Sequence, residues 1–307
     1  MSDQHVFAIL EAPRRTWAVA SVHGEADSLR ILHEELIGHL RPHDNLVYLG
    51  NFLGRSGHVA ETIDELLMFR RAFLARDGAD IGDAVYLRGS QEEMWQKTLQ
   101  IQFAPNPREV LRWMEENGVG STLSVYGGNM ADAYHAADGG HLRLSQWTAA
   151  LRDAIRGVDG HNALMSNLRR AAYTKDGTLL FVNTGIDVSR PLSEQTDSFW
   201  WGGRDFEFIE SPYAGFRRLV RGYDHRHRGV VIKETTVTLD GGCGFGGPLV
   251  AGCFDSQGEM LEMIEVWSFT SAAAAPGPGR AGRRRTGRGS PARESSRRPS
   301  RIRANRG

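Results

Sequence analysis

The chain has 307 residues, 40% of them hydrophobic, and a formal net charge of +0, which is enough apolar material for the core of one large globular domain. No apolar run reaches the roughly 18 residues of a membrane span, and the first residues lack the charged-then-apolar layout of a secretory signal, so a soluble, cytoplasmic chain without membrane contact is expected. Cys243 and Cys253 are too few for a disulfide framework and lack zinc-ligand spacing, which leaves two buried, reduced thiols.

Trp17 to Gly24 opens the predicted structure as an apolar strand running into a glycine turn. Leu29, Leu32, Leu36 and Leu40 then recur at helical spacing up to Pro42. A second strand, Val47 to Leu49, enters the loop Gly50-Asn51-Phe52-Leu53-Gly54-Arg55 and is followed by a helix from Val59 to Phe69. The third strand, Ala84 to Leu87, runs through Arg88-Gly89-Ser90-Gln91-Glu92 into another helix. This alternation predicts an α/β fold with a largely parallel sheet, its strand ends sharing one edge where α/β proteins place their ligands. Helices are expected at Pro107–Glu116, Leu144–Arg156 and His161–Arg170, with Gly118 to Gly127 as an interrupting loop. Short apolar runs at Thr178–Val182, Arg217–Arg221, Thr236–Leu239, Leu249–Phe254 and Leu261–Val266 predict a second, more antiparallel sheet.

From Ser271 onward the chain is Ala, Gly, Pro, Ser and Arg, with 11 arginines against the single acid Glu294, so the zero net charge divides into a tail of +10 and a body of −10. Such a composition buries too little surface to offset ordering entropy, and a disordered tail spanning 268–307 is expected.

The three strand-end loops read Ala20-Ser21-Val22-His23-Gly24, Gly50-Asn51-Phe52-Leu53-Gly54-Arg55-Ser56 and Arg88-Gly89-Ser90-Gln91-Glu92. They resemble the signature blocks of the calcineurin-like metallophosphoesterases, in particular the PPP-type serine/threonine phosphatase branch: Gly-Asp-x-His-Gly, Gly-Asp-x-x-Asp-Arg-Gly and Arg-Gly-Asn-His-Glu. The resemblance runs from about Arg15 to Val266. It implies a four-layer α/β/β/α sandwich over residues 1–267, with a helical insertion at about 105–170.

The family binds two divalent metals (manganese, iron or zinc) that clamp the phosphoryl group and generate hydroxide. Carried over by position, Ser21 stands for the first aspartate, Asn51 for the bridging aspartate, Ser90 for the asparagine ligand, Asn183 for one histidine and Tyr223 for the last; only His23 keeps its type. Gln91 stands where the family has its general-acid histidine and Gly54 where an aspartate orients it, and glutamine does not titrate. His23 is therefore expected as a hydrogen-bonded, partly buried histidine rather than a ligand. Arg55 matches the arginine that contacts phosphate, with Arg88 and His23 as further anion-binding candidates; the alternative for each arginine is an ion pair with Glu25, Asp27 or Glu92.

His225 and His227 read as a solvated loop. Gly241 to Pro248 lacks the lysine and helix of a phosphate loop and reads as closely passing backbone. Trp200 and Trp201 are expected as one buried and one rim residue.

Three functions remain open from these residues. The first is a pseudophosphatase that binds a phosphorylated protein or a nucleotide without metals. The second is a phosphoesterase rebuilt around a single metal held by His23, Asn51, Asp187, Asp224 and His225. The third is a purely structural regulatory subunit. The arginine-rich tail adds at most nonspecific, salt-sensitive contact with polyanions. Because it contributes little apolar burial, truncation after Thr270 is expected to leave the thermal unfolding midpoint unchanged, and a drop of many degrees would mean that the +10 tail docks on the −10 body.

Overall fold

The structure is a computed structural model that describes residues 6–267; the expected disordered tail lies outside these residues. Two mixed sheets carry the fold. In the first, β2 (Thr16–Val19), β3 (Asn45–Tyr48) and β4 (Ala84–Tyr86) lie side by side in parallel, and β10 (Leu249–Phe254) and β11 (Met260–Val266) extend the β2 side antiparallel, giving the order β11-β10-β2-β3-β4. The second has the order β1-β5-β6-β7-β9-β8, from β1 (Phe7–Leu10), β5 (Ala171–Thr174), β6 (Leu179–Val182), β7 (Arg218–Arg221), β9 (Thr236–Thr238) and β8 (Val231–Ile232).

The sheets pack face to face because each strand alternates its side chains between two apolar environments. Ala18, Val47, Val85, Val250 and Phe254 from the first sheet meet Leu10, Ala172, Phe181, Val220 and Val237 from the second. The opposite face of the first sheet presents Trp17, Val19, Leu46, Tyr48 and Tyr86 to α1 (Ala26–His39) and α2 (Val59–Leu74), which return Leu29, Leu32, Leu36, Ile63, Leu66 and Phe73. A buried relay ties this layer to β3: His33 Nδ1 lies 2.5 Å from Glu65 and its Nε2 2.7 Å from the Tyr48 hydroxyl. Burial lowers the His33 pKa while Glu65 opposes the shift, and in the neutral ring Nδ1 donates to Glu65 and Nε2 accepts from Tyr48. The outer face of the second sheet is covered by Phe199 and Trp200 of the short α9 (Ser198–Trp201) with Phe206, Tyr213 and Phe216. These are the four layers of an α/β/β/α sandwich, thin on the second outer side.

Between the sheets' contributions the chain builds α3 (Ser90–Thr98), α4 (Pro107–Glu116), α5 (Val119–Val125), α6 (Met130–Asp138), α7 (His141–Arg156) and α8 (His161–Ser166). A small core of Ile101, Leu111, Ala133, Ala136 and Leu144 joins α4, α6 and α7.

Several expectations are corrected. The second sheet is not the more antiparallel one, since β1–β5, β6–β7 and β7–β9 are all parallel pairs. Leu249–Phe254 and Leu261–Val266 fall in strands of the first sheet, where β10 pairs with β2. Gly118 to Gly127 is mostly helix, because Gly118 takes a left-handed φ of 93° that starts α5 while Val119, Thr122 and Leu123 are buried. The last helix of the insertion stops at Ser166, and β1, β5 and α6 were not anticipated. Cys243 and Cys253 are free and buried. No helix among the described residues is long and apolar enough to cross a membrane.

Candidate functional site

Parallel β2, β3 and β4 end side by side, so the three loops that follow them converge, and β6 and β7 of the second sheet bring Asn183 and Tyr223 to the same edge. The loops are fastened by main chain. The Asn51 carbonyl accepts from the N–H groups of Val22 and His23 (3.1 and 2.7 Å), and the Asn183 carbonyl accepts from Gly222 and Tyr223 (3.0 Å each). Ser21 N–H donates across the sheets to the Gly222 carbonyl at 3.1 Å. Glycine is required where two loops touch: a Cβ on Gly50 would sit 2.6 Å from the Gly89 nitrogen, and Gly50 itself has φ of 89°.

Glu92, 3% exposed, holds the β3 loop in place. Its carboxylate accepts from the N–H groups of Phe52 (2.7 Å), Leu53 (3.0 Å), Asn51 (2.8 Å) and Gly89 (2.7 Å). Burial raises the Glu92 pKa, and these four donors oppose that rise. The clamp stabilises an unfavourable backbone: Asn51 and Arg55 both have φ of 58°, and His23 has φ of 54°, in a region that non-glycine residues rarely adopt.

Four of the six expected metal-ligand positions, Ser21, Asn51, Ser90 and Asn183, hold groups that bind one another. Asn51 Nδ2 donates to Ser21 Oγ (3.2 Å), while Asn51 Oδ1 accepts from Ser90 Oγ (3.1 Å) and from the Gln91 N–H (3.0 Å). Asn183 Oδ1 accepts from the Ser90 N–H (3.3 Å) and from Thr184 Oγ1 (2.9 Å), and Asn183 Nδ2 donates to the Leu49 carbonyl (2.7 Å). Every member is neutral. A pair of divalent cations needs anionic oxygens and imidazoles, so this donor set does not fit the family's dinuclear centre. Among the described residues no group of three or more His, Cys, Asp or Glu could hold a metal ion.

The single-metal alternative is not assembled. Asp224 pairs with Arg221 (3.3 Å) and Arg228 (3.0 Å), Asp187 accepts from Ser189, and His225 is exposed.

Gln91 and Gly54 are coupled by space. A Cβ on Gly54 would lie 2.1 Å from Gln91 Oε1, so the glutamine fills the volume an aspartate at 54 would need; its Nε2 donates to the Asn117 carbonyl at 2.9 Å. Neither residue offers a proton.

His23 departs from the expected hydrogen-bonded, partly buried residue. It is 1% exposed, and neither ring nitrogen has a hydrogen-bond partner among the described residues. Its ring sits edge-on to Phe245 (5.2 Å) and Tyr223 (5.5 Å), an apolar enclosure that no ligand-type argument from sequence anticipates. Burial, with Arg55 and His227 nearby, pulls its pKa down to about 3.

Arg55 is exposed, and among the described residues it forms no ion pair; its expected carboxylate partners are engaged elsewhere or not in contact. Instead its guanidinium lies 4.2 Å over the Phe245 ring. The helical insertion sets its position: the Gly54 N–H donates to Thr122 Oγ1 (3.1 Å), the Arg55 N–H to the Gly118 carbonyl (3.4 Å), and Ser121 Oγ donates to the Arg55 carbonyl (2.9 Å). Arg88 differs. It pairs with Glu93 at 3.2 Å and lies over Trp200, so its charge is already matched.

Trp200 is buried, donating to the Arg88 carbonyl at 2.9 Å, and the partly exposed Trp201 packs on Trp113. Sequence reasoning missed Phe245 as part of this site, and the solvated-loop reading of His227 is corrected: it is half-buried and bonded to Asp240 at 2.9 Å. The one available signal was an aromatic residue among glycines in Gly244-Phe245-Gly246-Gly247.

No family model and no curated protein matches the chain. Solved structures do. A candidate diadenosine tetraphosphatase superposes with a TM-score of 0.51 at 16% identity, covering 85% of this chain and 98% of that one. A serine/threonine phosphatase from Saccharomyces cerevisiae gives 0.50 at 12% identity, covering 85% of this chain and 84% of its own. The chain thus shares the fold of these solved phosphatases, the α/β/β/α sandwich that its motif resemblance implied.

Because the folded state keeps His23 neutral to about pH 3 whereas an unfolded histidine takes up a proton near 6.5, the stability His23 contributes is present above pH 6.5 and is lost as pH falls toward 3. Urea denaturation at pH 7 and pH 5 is expected to show about 2 kcal/mol more loss in wild type than in His23→Phe. Equal losses in the two proteins would place a protonated or solvated imidazole at this position.

Proposed function

We propose that this chain is a metallophosphoesterase-fold protein that binds a phosphorylated ligand, a phosphoprotein segment or a nucleotide, at Arg55 without hydrolysing it. The observation that carries the reading is the neutral, mutually hydrogen-bonded set Ser21, Asn51, Ser90 and Asn183 beside an arginine that has no carboxylate partner among the described residues. Aspartates left without their cations would repel an anion, whereas serine, asparagine and glycine do not. Hydrolysis also needs a proton donor for the leaving oxygen, and Gln91 is not one. Arg88 plays no part in this proposal because Glu93 holds it. The arginine-rich segment after Ser271 would add salt-dependent contact with a polyanionic partner.

A rebuilt hydrolase would need Asp187, Asp224 and His225 to turn toward His23, breaking the buried Arg221–Asp224 pair, and no observation favours it. Charge-assisted hydrogen bonds contribute about 1.5–3 kcal/mol, so Arg55→Ala should weaken binding of inorganic phosphate, a nucleotide or a phosphopeptide at least roughly tenfold in calorimetry. If neither protein binds any of these at millimolar concentration, the groove is vestigial and the structural-subunit reading replaces this one.

A further inference from the structure

The anion site just proposed is filled by the protein's own side chain. Phe245 is packed against His227 at a centroid distance of 3.8 Å and against the Arg55 guanidinium at 4.2 Å. Two groups this close to one ring centre cannot share a face, so Phe245 is sandwiched between them. The His23 ring, perpendicular to Phe245, closes a third side at 5.2 Å, and Tyr223 stands 6.5 Å away. Phe245 is nevertheless 36% exposed, so it is a stopper at a surface and not a core residue.

The backbone of the loop that carries it is fastened: the Phe245 and Gly247 N–H groups donate to the Gly242 carbonyl (2.9 and 3.0 Å), and a Cβ on Gly241 or Gly247 would lie 2.4 Å or less from neighbouring backbone. What can leave the site is the exposed Phe245 side chain, by rotation about its own bonds. The frame around the stopper is fixed as well. Asp240 accepts from the Asp224 N–H (2.8 Å), the Gly242 N–H (2.8 Å) and His227 Nδ1 (2.9 Å), which anchors the loop base and the His227 ring. Behind the stopper lie the unpartnered nitrogens of His23. Two cavities, of about 690 and 620 Å3, open elsewhere, beside β4 and beside α9, and neither is lined by Arg55 or His23.

We infer that Phe245 is an autoinhibitory plug: the glycine-rich loop holds its ring in the Arg55 site, and a phosphate-bearing ligand enters by displacing it, exchanging the cation–π contact of Arg55 for an ion pair and opening His23. This rests on the binding role assigned to Arg55. It makes ligand affinity a competition, because the free protein keeps its anion-binding state as the minor one and apparent affinity falls by that fraction.

Two measurements test it on the full chain. Calorimetry with inorganic phosphate should show Phe245→Ala binding at least tenfold more tightly than wild type, Phe245→Leu lying between them, and Arg55→Ala/Phe245→Ala losing the gain. Acylation by diethyl pyrocarbonate, mapped by mass spectrometry, should leave His23 unmodified in wild type, modify it in Phe245→Ala, and modify it in wild type when phosphate is added. Unchanged circular dichroism in both single variants establishes that they are folded. If wild type binds phosphate through Arg55 but Phe245→Ala binds no more tightly and keeps His23 protected, the plug is wrong while the binding role stands. If no variant binds phosphate, although Phe245→Ala exposes His23, the binding role fails and the plug has nothing to exclude.

Discussion

The carboxylate of Glu92 is the contact on which the site depends. By accepting four main-chain N–H groups, from Asn51, Phe52, Leu53 and Gly89, it holds the β3 loop against the start of α3. Left unsatisfied, each buried amide would cost about 1–3 kcal/mol. The clamp holds Asn51 in left-handed backbone and delivers its side chain to Ser21 and Ser90, while Gly118 and Ser121 of the helical insertion fasten the Arg55 backbone. None of these bonds passes through a metal. The loop architecture of the fold is thereby self-supporting, which lets the ligand positions change chemistry while the scaffold keeps its shape.

The neutral groups at these positions are consistent among themselves. Asn51, Ser90 and Asn183 satisfy each other's hydrogen bonds, and Gln91 occupies the space over Gly54. Each substitution fits its neighbours: an aspartate at 54 would collide with Gln91, and an aspartate at 51 would lose the amide donor that Ser21 accepts from. A partly satisfied polar network in a low-dielectric edge is costly, whereas a fully connected one is not. Arg55 lies over Phe245, which is itself packed against His227 and near Tyr223.

Much of this was legible in the sequence. The apolar runs before His23, Asn51 and Arg88 gave parallel strands with converging ends, because a strand buried on both faces has no polar alternation to obscure it. The neutral replacements Ser21, Asn51, Ser90 and Gln91 were visible as letters, since their meaning depends on residue type alone. What stayed hidden depends on tertiary proximity. β1 and β5 are short and gain stability by pairing with each other across a long separation, Phe7 against Ala171. The helix α6 is built on Ala133 and Ala136 with only the Asn129 cap as a signal. The assignment of β10 to the first sheet rests on its register with β2, Ala251 opposite Val19, which no local pattern encodes. Phe245 is distant in sequence from Arg55 and His23, and its role exists only because the Gly241–Gly247 loop folds over them.

The central claim is that the strand-end edge no longer carries a catalytic metal pair. The most direct measurement is the manganese, iron and zinc content of the purified full chain, determined on the same sample as its turnover of a generic aryl phosphate. The account predicts metal well below one equivalent and no hydrolysis above the uncatalysed rate. Stoichiometric metal together with turnover that His23→Ala abolishes would contradict it.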